Sequence, residues 1–383
     1  MNLTSYKPNG LQTLLFPLLT VALSACNIEL PSAPPELHHK FTVIPVGQSP
    51  NQLITVDLNE DGHVDIVSAN SYGNTLTLLY GKGNGDFAPV LSLPVLAEPT
   101  SVAALDLNDD GILDLITNAR GADALSIILG NSDGTFKKVR RQNTGRVPLA
   151  VIPGDFNQDR LLDIAVPLTF GKMEIHLGLG GGLLKKGSTY STGSRAFSGV
   201  TQDFDSDGFL DIALATSSAQ ASSIRIFPGL GDGGFAPARR ILSGKKPLVL
   251  ILKDMNGDQL PDLVCASGQG DNMYMLFSNG DGSFQDAVSF SGGGGPMALV
   301  AGHFNDDTRM DVAVANSRSS SFSMVMRRPN GGFQFPTRDY VVDGGTPLAI
   351  TSGDYNGDGR EDIAVASNAK NTVEIYLQRR LPR

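Results

Sequence analysis

The chemistry of this chain is concentrated in one nonapeptide, D-x-[DN]-x-D-x-x-x-D, which occurs seven times. The copies are DLNEDGHVD from Asp57, DLNDDGILD from Asp106, DFNQDRLLD from Asp155, DFDSDGFLD from Asp203, DMNGDQLPD from Asp254, HFNDDTRMD from His303 and DYNGDGRED from Asp354. Clustered acids in a tight turn repel one another unless a cation neutralises them. Hard oxygen donors at positions 1, 3, 5 and 9, with a backbone carbonyl at position 7, suit calcium; magnesium wants a stricter octahedron and more water. Glycine at position 6 permits a left-handed bend.

The copies are not equal. Four are complete: Asp57/Asn59/Asp61/Asp65, Asp106/Asn108/Asp110/Asp114, Asp203/Asp205/Asp207/Asp211 and Asp354/Asn356/Asp358/Asp362. The third keeps Asp155/Asn157/Asp159/Asp163 but has Arg160 in the glycine place, and the fifth keeps Asp254/Asn256/Asp258/Asp262 but has Gln259 there. A left-handed residue other than glycine costs roughly 1–2 kcal/mol, so weaker binding is expected. The sixth has His303 for the first aspartate and Thr308 for the glycine, and is expected to be empty or weak. The competing expectation for any one loop is an Asx-turn without metal, closed by side-chain-to-backbone hydrogen bonds. Four complete, evenly repeated copies favour several structural Ca2+ sites over a catalytic one.

The elements that must position these loops repeat with them. Successive copies start 49, 49, 48, 51, 49 and 51 residues apart, so the chain is one repeat array from position 41 to 383. Seven residues before the copies stand Pro50, Pro99, Pro148, Pro247, Pro296 and Pro347, with Ala196 in the fourth unit. Each copy runs into a short apolar strand, such as DIVSAN or DIAVAS, without clean alternation, as expected of strands buried on both faces. A polar loop, an alternating strand such as TLTLLYG, a glycine-rich turn such as GKGNGDF and a polar outer strand follow. Four strands in each of seven units predict an all-β fold, a seven-bladed β-propeller. The seventh unit stops after its third strand, VEIYLQ, and the segment from Phe41 to Val46 aligns with the fourth strands that begin at Phe87, Phe136 and Phe235. The N-terminal strand is therefore expected to complete the last blade.

These motifs together, D-F-N-x-D-G-x-x-D-[IL]-A-V with G-x-G-D-G-x-F, resemble the FG-GAP/VCBS repeat found in integrin α-subunit propellers and in many bacterial secreted proteins. The resemblance covers residues 41–378. By that resemblance the ligand platform is the face opposite the acidic loops, built from the strand-2-to-3 loops. Its distinctive members here are Tyr72, Arg120, Phe170, Lys172, Asp271, Arg318 and Lys370.

The N-terminus reads as an address. Lys7 is the only charge before an apolar run from Leu11 to Leu23, too short and poorly flanked for a membrane span and suited to a signal peptide. The run ends in Leu23-Ser24-Ala25-Cys26, which resembles the bacterial lipobox; this implies a signal peptide over 1–25, a lipidated Cys26 and a proline-rich tether over 26–40 in which His38 and His39 are solvated. The implied location is extracytoplasmic and membrane-anchored, at the outer membrane or cell surface if the host has an outer membrane, since Asn27 is not the aspartate associated with inner-membrane retention.

Composition narrows the functions. The net charge of −9 argues against nucleic-acid binding, although 21 of the 39 acids sit at ligand positions, so the acidity belongs to the loops. Two cysteines exclude a disulfide framework or a structural zinc site. His63 and His303 lie in acidic loops, His176 in an alternating strand and Cys265 in a buried strand, and no catalytic constellation is identified. The expected function is a monomeric binding or adhesion module for a protein or glycan. The alternatives are a carbohydrate-active enzyme of polysaccharide-lyase type and a structural component of envelope assembly; the absence of tryptophan counts against a sugar-binding platform.

Overall fold

The computed structural model describes residues 38–218, 222–241, 246–268, 271–329, 331–334 and 337–379. Cys26 and the signal segment lie outside them. The described chain forms seven antiparallel four-stranded sheets. In six of them four consecutive strands pair in chain order, and the seventh is closed by the N-terminal strand His38–Pro45 against Thr372–Gln378. The molecule is a seven-bladed propeller. Its only helical element among the described residues is the short 3-10 turn Arg120–Ala122.

The burial gradient across each blade follows from the sequence. The second strands, Asp65–Asn70, Asp114–Ala119, Asp163–Leu168, Asp211–Ser217, Asp262–Ser267, Asp311–Asn316 and Asp362–Ser367, are buried at every residue. A strand flanked by sheets on both faces has no solvent side, so apolar runs replace alternation. The fourth strands, such as Leu91–Pro94 and Arg140–Asn143, are largely exposed at the rim, and their polar and charged residues discourage edge pairing. The apolar core is divided into seven clusters, each lying between two neighbouring blades. No blade buries its own faces alone, so closure is a condition of stability.

One set of contacts ties every blade to the one before it. The residue opening the outer segment of each blade packs on position 2 of the preceding acidic loop. Phe87 lies 5.9 Å from Tyr355, Phe235 5.3 Å from Phe156 and Phe284 5.7 Å from Phe204, between ring centroids. Phe136 meets Leu58, Leu184 meets Leu107 and Phe333 meets Met255 in the corresponding clusters. The seventh place is filled by His38. It pairs with Gln378 as Phe87 pairs with Gly81, and its ring stands edge-on to Phe304 at 6.2 Å.

This corrects the expected boundary. The ring begins at His38, three residues before Phe41, and His38 is fully buried rather than solvated in a tether. Sequence alignment chose Phe41 because it matched the phenylalanine type. The bulge between Lys40 and Thr42 shifts the register, and Phe41 is exposed.

Candidate metal centre and partner face

All seven acidic loops connect first to second strands and therefore lie on one face. Their backbone geometry is shared by six copies. Position 6 is left-handed in Gly62, Gly111, Arg160, Gly208, Gln259 and Gly359, with φ between 69° and 88°. Position 4 is left-handed too, in Glu60, Asp109, Gln158, Ser206, Gly257 and Gly357. Arg160 and Gln259 thus take the same bend as the glycines. The sixth loop, with Asp306 and Thr308 at these places, does not. The second bend was not anticipated, although the small and polar residues that dominate position 4 signal it.

The aspartates fall into two roles. Those at positions 1 and 5 close the turn from outside: Asp57 accepts hydrogen bonds from the Asp61 and Gly62 amides at 3.2 and 2.9 Å, and Asp61 accepts from the His63 amide at 2.9 Å. In the second loop Asp106 Oδ1 accepts from the Asn108 and Asp110 amides at 3.3 and 3.2 Å, and Asp110 Oδ1 accepts from the Ile112 amide at 3.0 Å. The amide at position 6 donates to the first aspartate in every loop from Asp106, Asp155, Asp203, Asp254 and Asp354 as well. The aspartate at position 9 is a buried staple. Asp65 accepts from the Leu58 amide through one oxygen at 2.9 Å and from the Gly81 amide through the other at 2.8 Å, so it ties the loop to the end of the third strand. Asp114, Asp163, Asp211, Asp262 and Asp362 do the same.

Burial raises the carboxyl pKa of all these staples, and neighbouring loop acids add like-charge repulsion, from positions 1 and 5 in five loops and from Asp205 and Asp207 at positions 3 and 5 in the fourth. Asp65, Asp163 and Asp211 are pushed up to about 6 and Asp362 to about 7, while Asp114 and Asp262 move the same way. Each loop therefore carries an electrostatic cost that a cation would relieve.

The fourth loop fits a hard divalent cation best. Carboxylate oxygens of Asp203, Asp205 and Asp211 all lie within 4.8 Å of one another, and Asp205 Oδ1 is buried with no hydrogen-bond partner. Asp207, expected as the fourth donor, stands outside that cluster; it is exposed, and its Oδ1 accepts from the Phe209 amide at 2.8 Å. Among the described residues no other loop gathers three carboxylates so closely. Asparagine holds position 3 elsewhere, and a neutral amide replaces one of the acids there. In the first, third and fifth loops that amide donates to the position-5 aspartate, from Asn59 to Asp61, Asn157 to Asp159 and Asn256 to Asp258. Asn108 of the second loop is half-buried. In the seventh, Asn356 Oδ1 accepts from the Asp358 amide at 3.1 Å, so the oxygen expected to face a cation serves the turn itself.

Three loops hold an arginine against an acid. In the fourth, Arg239 of the outer strand stands 3.6 Å from Asp205 Oδ2, leaving Oδ1 to the cluster. In the sixth, Arg309 at position 7 pairs with Asp307, supplying a positive charge from the chain itself. In the seventh, complete by sequence, Arg360 pairs with Asp358, so a second donor is already engaged. The Asp311 staple of the sixth loop keeps the Arg327 amide at 2.7 Å but leaves Oδ2 unpartnered, and burial pushes its pKa up to about 7.

The opposite face carries the strand-2-to-3 loops and the connections between blades. Tyr72 is 76% exposed and Phe170 66%; Lys172 and Lys370 are exposed as well. Arg120 is half-buried, and its Nε has no hydrogen-bond partner. Asp271 and Arg318 differ from expectation. Asp271 Oδ1 accepts from the Gly295 amide at 2.9 Å and pairs with Arg318 across two blades. It belongs to a series: Asn74, Asp123 and Asn371, each left-handed and one residue before a third strand, accept from the Glu98, Val147 and Ser49 amides. The recurring Asn or Asp just ahead of these strands was the available signal. Sequence reading also missed Glu174 and Glu374, buried on third strands, which accept from the Gly145 and Gly344 amides and pair with Lys186 and Lys40.

The groups considered for catalysis sit apart. His176 is buried, 3.3 Å from Glu174 and 3.4 Å from Gln142. Burial pushes the Cys265 thiol up to about 12, far from a reactive thiolate.

Known structures share the architecture. The chain superposes on the crystal structure of BBS1N in complex with ARL6DN, soaked with lead, with a TM-score of 0.64 at 13% identity over 91% of this chain and 98% of that one. The mercury-soaked form gives 0.64 at 12% identity over the same shares. At this identity the likeness is one of fold. No curated protein matches the sequence. The FG-GAP-like repeat model matches residues 57–117, 106–166, 254–314 and 303–365. With more than half its length matched by that repeat, and with the phased acidic loops and the closed seven-bladed ring, the chain belongs to the FG-GAP-like repeat family of β-propellers.

Proposed function

We propose that this propeller is a calcium-stabilised binding module, anchored outside the cytoplasm through a lipidated Cys26, that presents its strand-2-to-3 face to a partner. The propeller architecture suits binding: its loops vary while its blades stay fixed. One observation supports the reading most. The acidic loops are segregated on one face, and exposed Tyr72 and Phe170 stand on the other. Metal and partner need not compete for the same residues. The propeller of BBS1N is bound to a protein partner, which favours a protein over a glycan here.

When bound, calcium would neutralise the clustered carboxylates. The chain supplies the rest: the left-handed bends that shape the loop, and the buried position-9 staple that fixes it to the sheet and, in the fourth loop, stands beside the acids of positions 1 and 3. At a free concentration 100 times Kd, each site adds about 2.7 kcal/mol. Four complete loops would add about 11 kcal/mol. A body of this size unfolds with about 0.7 kcal/mol/K of entropy, so EDTA should lower Tm by roughly 15 °C. An unchanged melt would remove calcium from the proposal. Affinity capture with the calcium-loaded protein tests the partner, and Cys26→Ala should shift the protein from the membrane to the soluble fraction.

A further inference from the structure

We infer that a groove between blades 3, 4 and 5 on the strand-2-to-3 face binds an acidic peptide segment that carries an apolar side chain beside its carboxylates. The inference rests on the reading of this face as a partner surface, and it names the place and the chemistry.

The groove forms where the repeat departs from its own pattern. At the other six junctions a proline opens the next blade, and the residue before it is left-handed: Ser49, Glu98, Val147, Lys246, Gly295 and Thr346. At the fourth junction Ala196 replaces the proline, and the left-handed turn moves back to Gly193. Gly193 is left-handed at φ 70°, a conformation that favours glycine, and a Cβ there would lie 2.5 Å from the Arg225 guanidinium and push that side chain aside. The displaced connector opens a cavity of about 690 Å³, a size that takes a few side chains of a ligand.

Its walls join two features. Phe170 and Phe197 are 66% and 40% exposed, a costly arrangement for rings in a monomer unless something covers them. Around them stand cations. Arg195 and Lys246 line the groove, Arg146 lies 5.7 Å over the Phe170 ring, and Arg225 sits beneath Gly193 with its Nε buried and unpartnered. No Asp or Glu lines the groove among the described residues. In a chain with 39 acids and 30 lysines and arginines, a lining that holds Arg195 and Lys246 and no carboxylate, with Arg146 over one ring and Arg225 beneath the connector, forms a local field opposite to the whole. Such a field selects anions.

The apolar rings then choose between anions. A glycan needs acceptors paired to its hydroxyls, and the groove offers no carboxylate or side-chain amide among its described lining residues. A polyanionic nucleic acid would meet a net charge of −9. An acidic peptide with an apolar residue satisfies both the guanidinium groups and the rings.

The test uses fluorescence anisotropy of a labelled hexapeptide alternating glutamate and phenylalanine, a matched peptide with lysine for glutamate, and a labelled oligogalacturonate. The expected result is binding of the acidic peptide at least tenfold tighter than the lysine peptide, strengthened at low salt. The double variant R195E/K246E should abolish that preference while leaving Tm in place; both side chains lie at the surface, and the single variant Arg195→Ala serves if the pair fails to fold. Acidic-peptide binding that R195E/K246E leaves intact would overturn the groove and leave the binding-module reading standing. No preference for acid over lysine, no binding of either peptide, or binding of the oligogalacturonate alone would each overturn the inference.

Discussion

Acid should loosen the closing blade through His38. The ring is fully buried between Phe304 and Tyr340, its Nε2 lies 3.4 Å from the Glu361 carbonyl, and Nδ1 has no partner. Burial lowers its pKa from 6.5 to about 4. A depressed histidine contributes stability above its unfolded pKa and loses it as pH falls toward the folded value. Between pH 7.5 and 4.5 these two values give a loss of about 2.5 kcal/mol, or roughly 3–4 °C in Tm for a body of this size. The loop staples respond with the opposite sign, because their folded pKa values are raised and they gain stability on acidification. The measurement must therefore be a difference. His38→Phe places at this position the residue used at Phe87, Phe136, Phe235, Phe284 and Phe333. Wild type and H38F are melted across the same pH series in EDTA, and the gap between their Tm values is followed. The Tm of H38F minus that of wild type should rise by those few degrees toward acid. A constant gap would refute the argument that a neutral histidine locks the seventh blade to the sixth.

Further outcomes can be checked with the same melts. Asp311 has its pKa raised to about 7, so its contribution is full below about 4 and lost as pH rises through 7; Asp311→Asn should lose less stability than wild type between pH 6 and 8.5. Asp65→Ala removes the acceptor of two buried amides and should cost on the order of 2–4 kcal/mol in EDTA, and more in calcium, where a ligand is lost as well. Asp271→Ala should cost about 1–2 kcal/mol through the Gly295 amide and the Arg318 pair and should leave partner capture unchanged. Asp203→Ala removes the first donor of the fourth loop's carboxylate cluster and should lower the calcium stoichiometry measured by calorimetry by one, while Asn305→Ala in the sixth loop should leave it unchanged.

The phase of the aspartates was enough to read blade number, strand order and ring closure, because a motif repeated at fixed spacing reports topology directly. The all-buried second strands were legible for the same reason. What the sequence did not disclose depends on contacts between units. His38 takes the place of a phenylalanine, but its identity hides the equivalence. Asp271 reads as a surface acid, and only the Gly295 amide from the next connector reveals it as a staple. Arg309 and Arg360 lie two residues from the aspartates they neutralise, and sequence alone does not say which way a long side chain folds. Nor does spacing distinguish Asp207, turned to the Phe209 amide, from Asp205, whose oxygen is left free beside Asp203 and Asp211. The groove at Gly193 could be suspected from Ala196, the one break in the proline series, but its cations come from four separate segments.

Because the first and last strands of the ring are partners, the molecule checks its own length. A ribosome that has made six blades has made none of the pairing that Lys40 to Pro45 requires. Until Thr372–Gln378 emerges, the opening strand is an unpaired edge in search of another, in this chain or its neighbour. A chain that stopped short of Thr372–Gln378 would therefore leave an open ring with two unpaired edges.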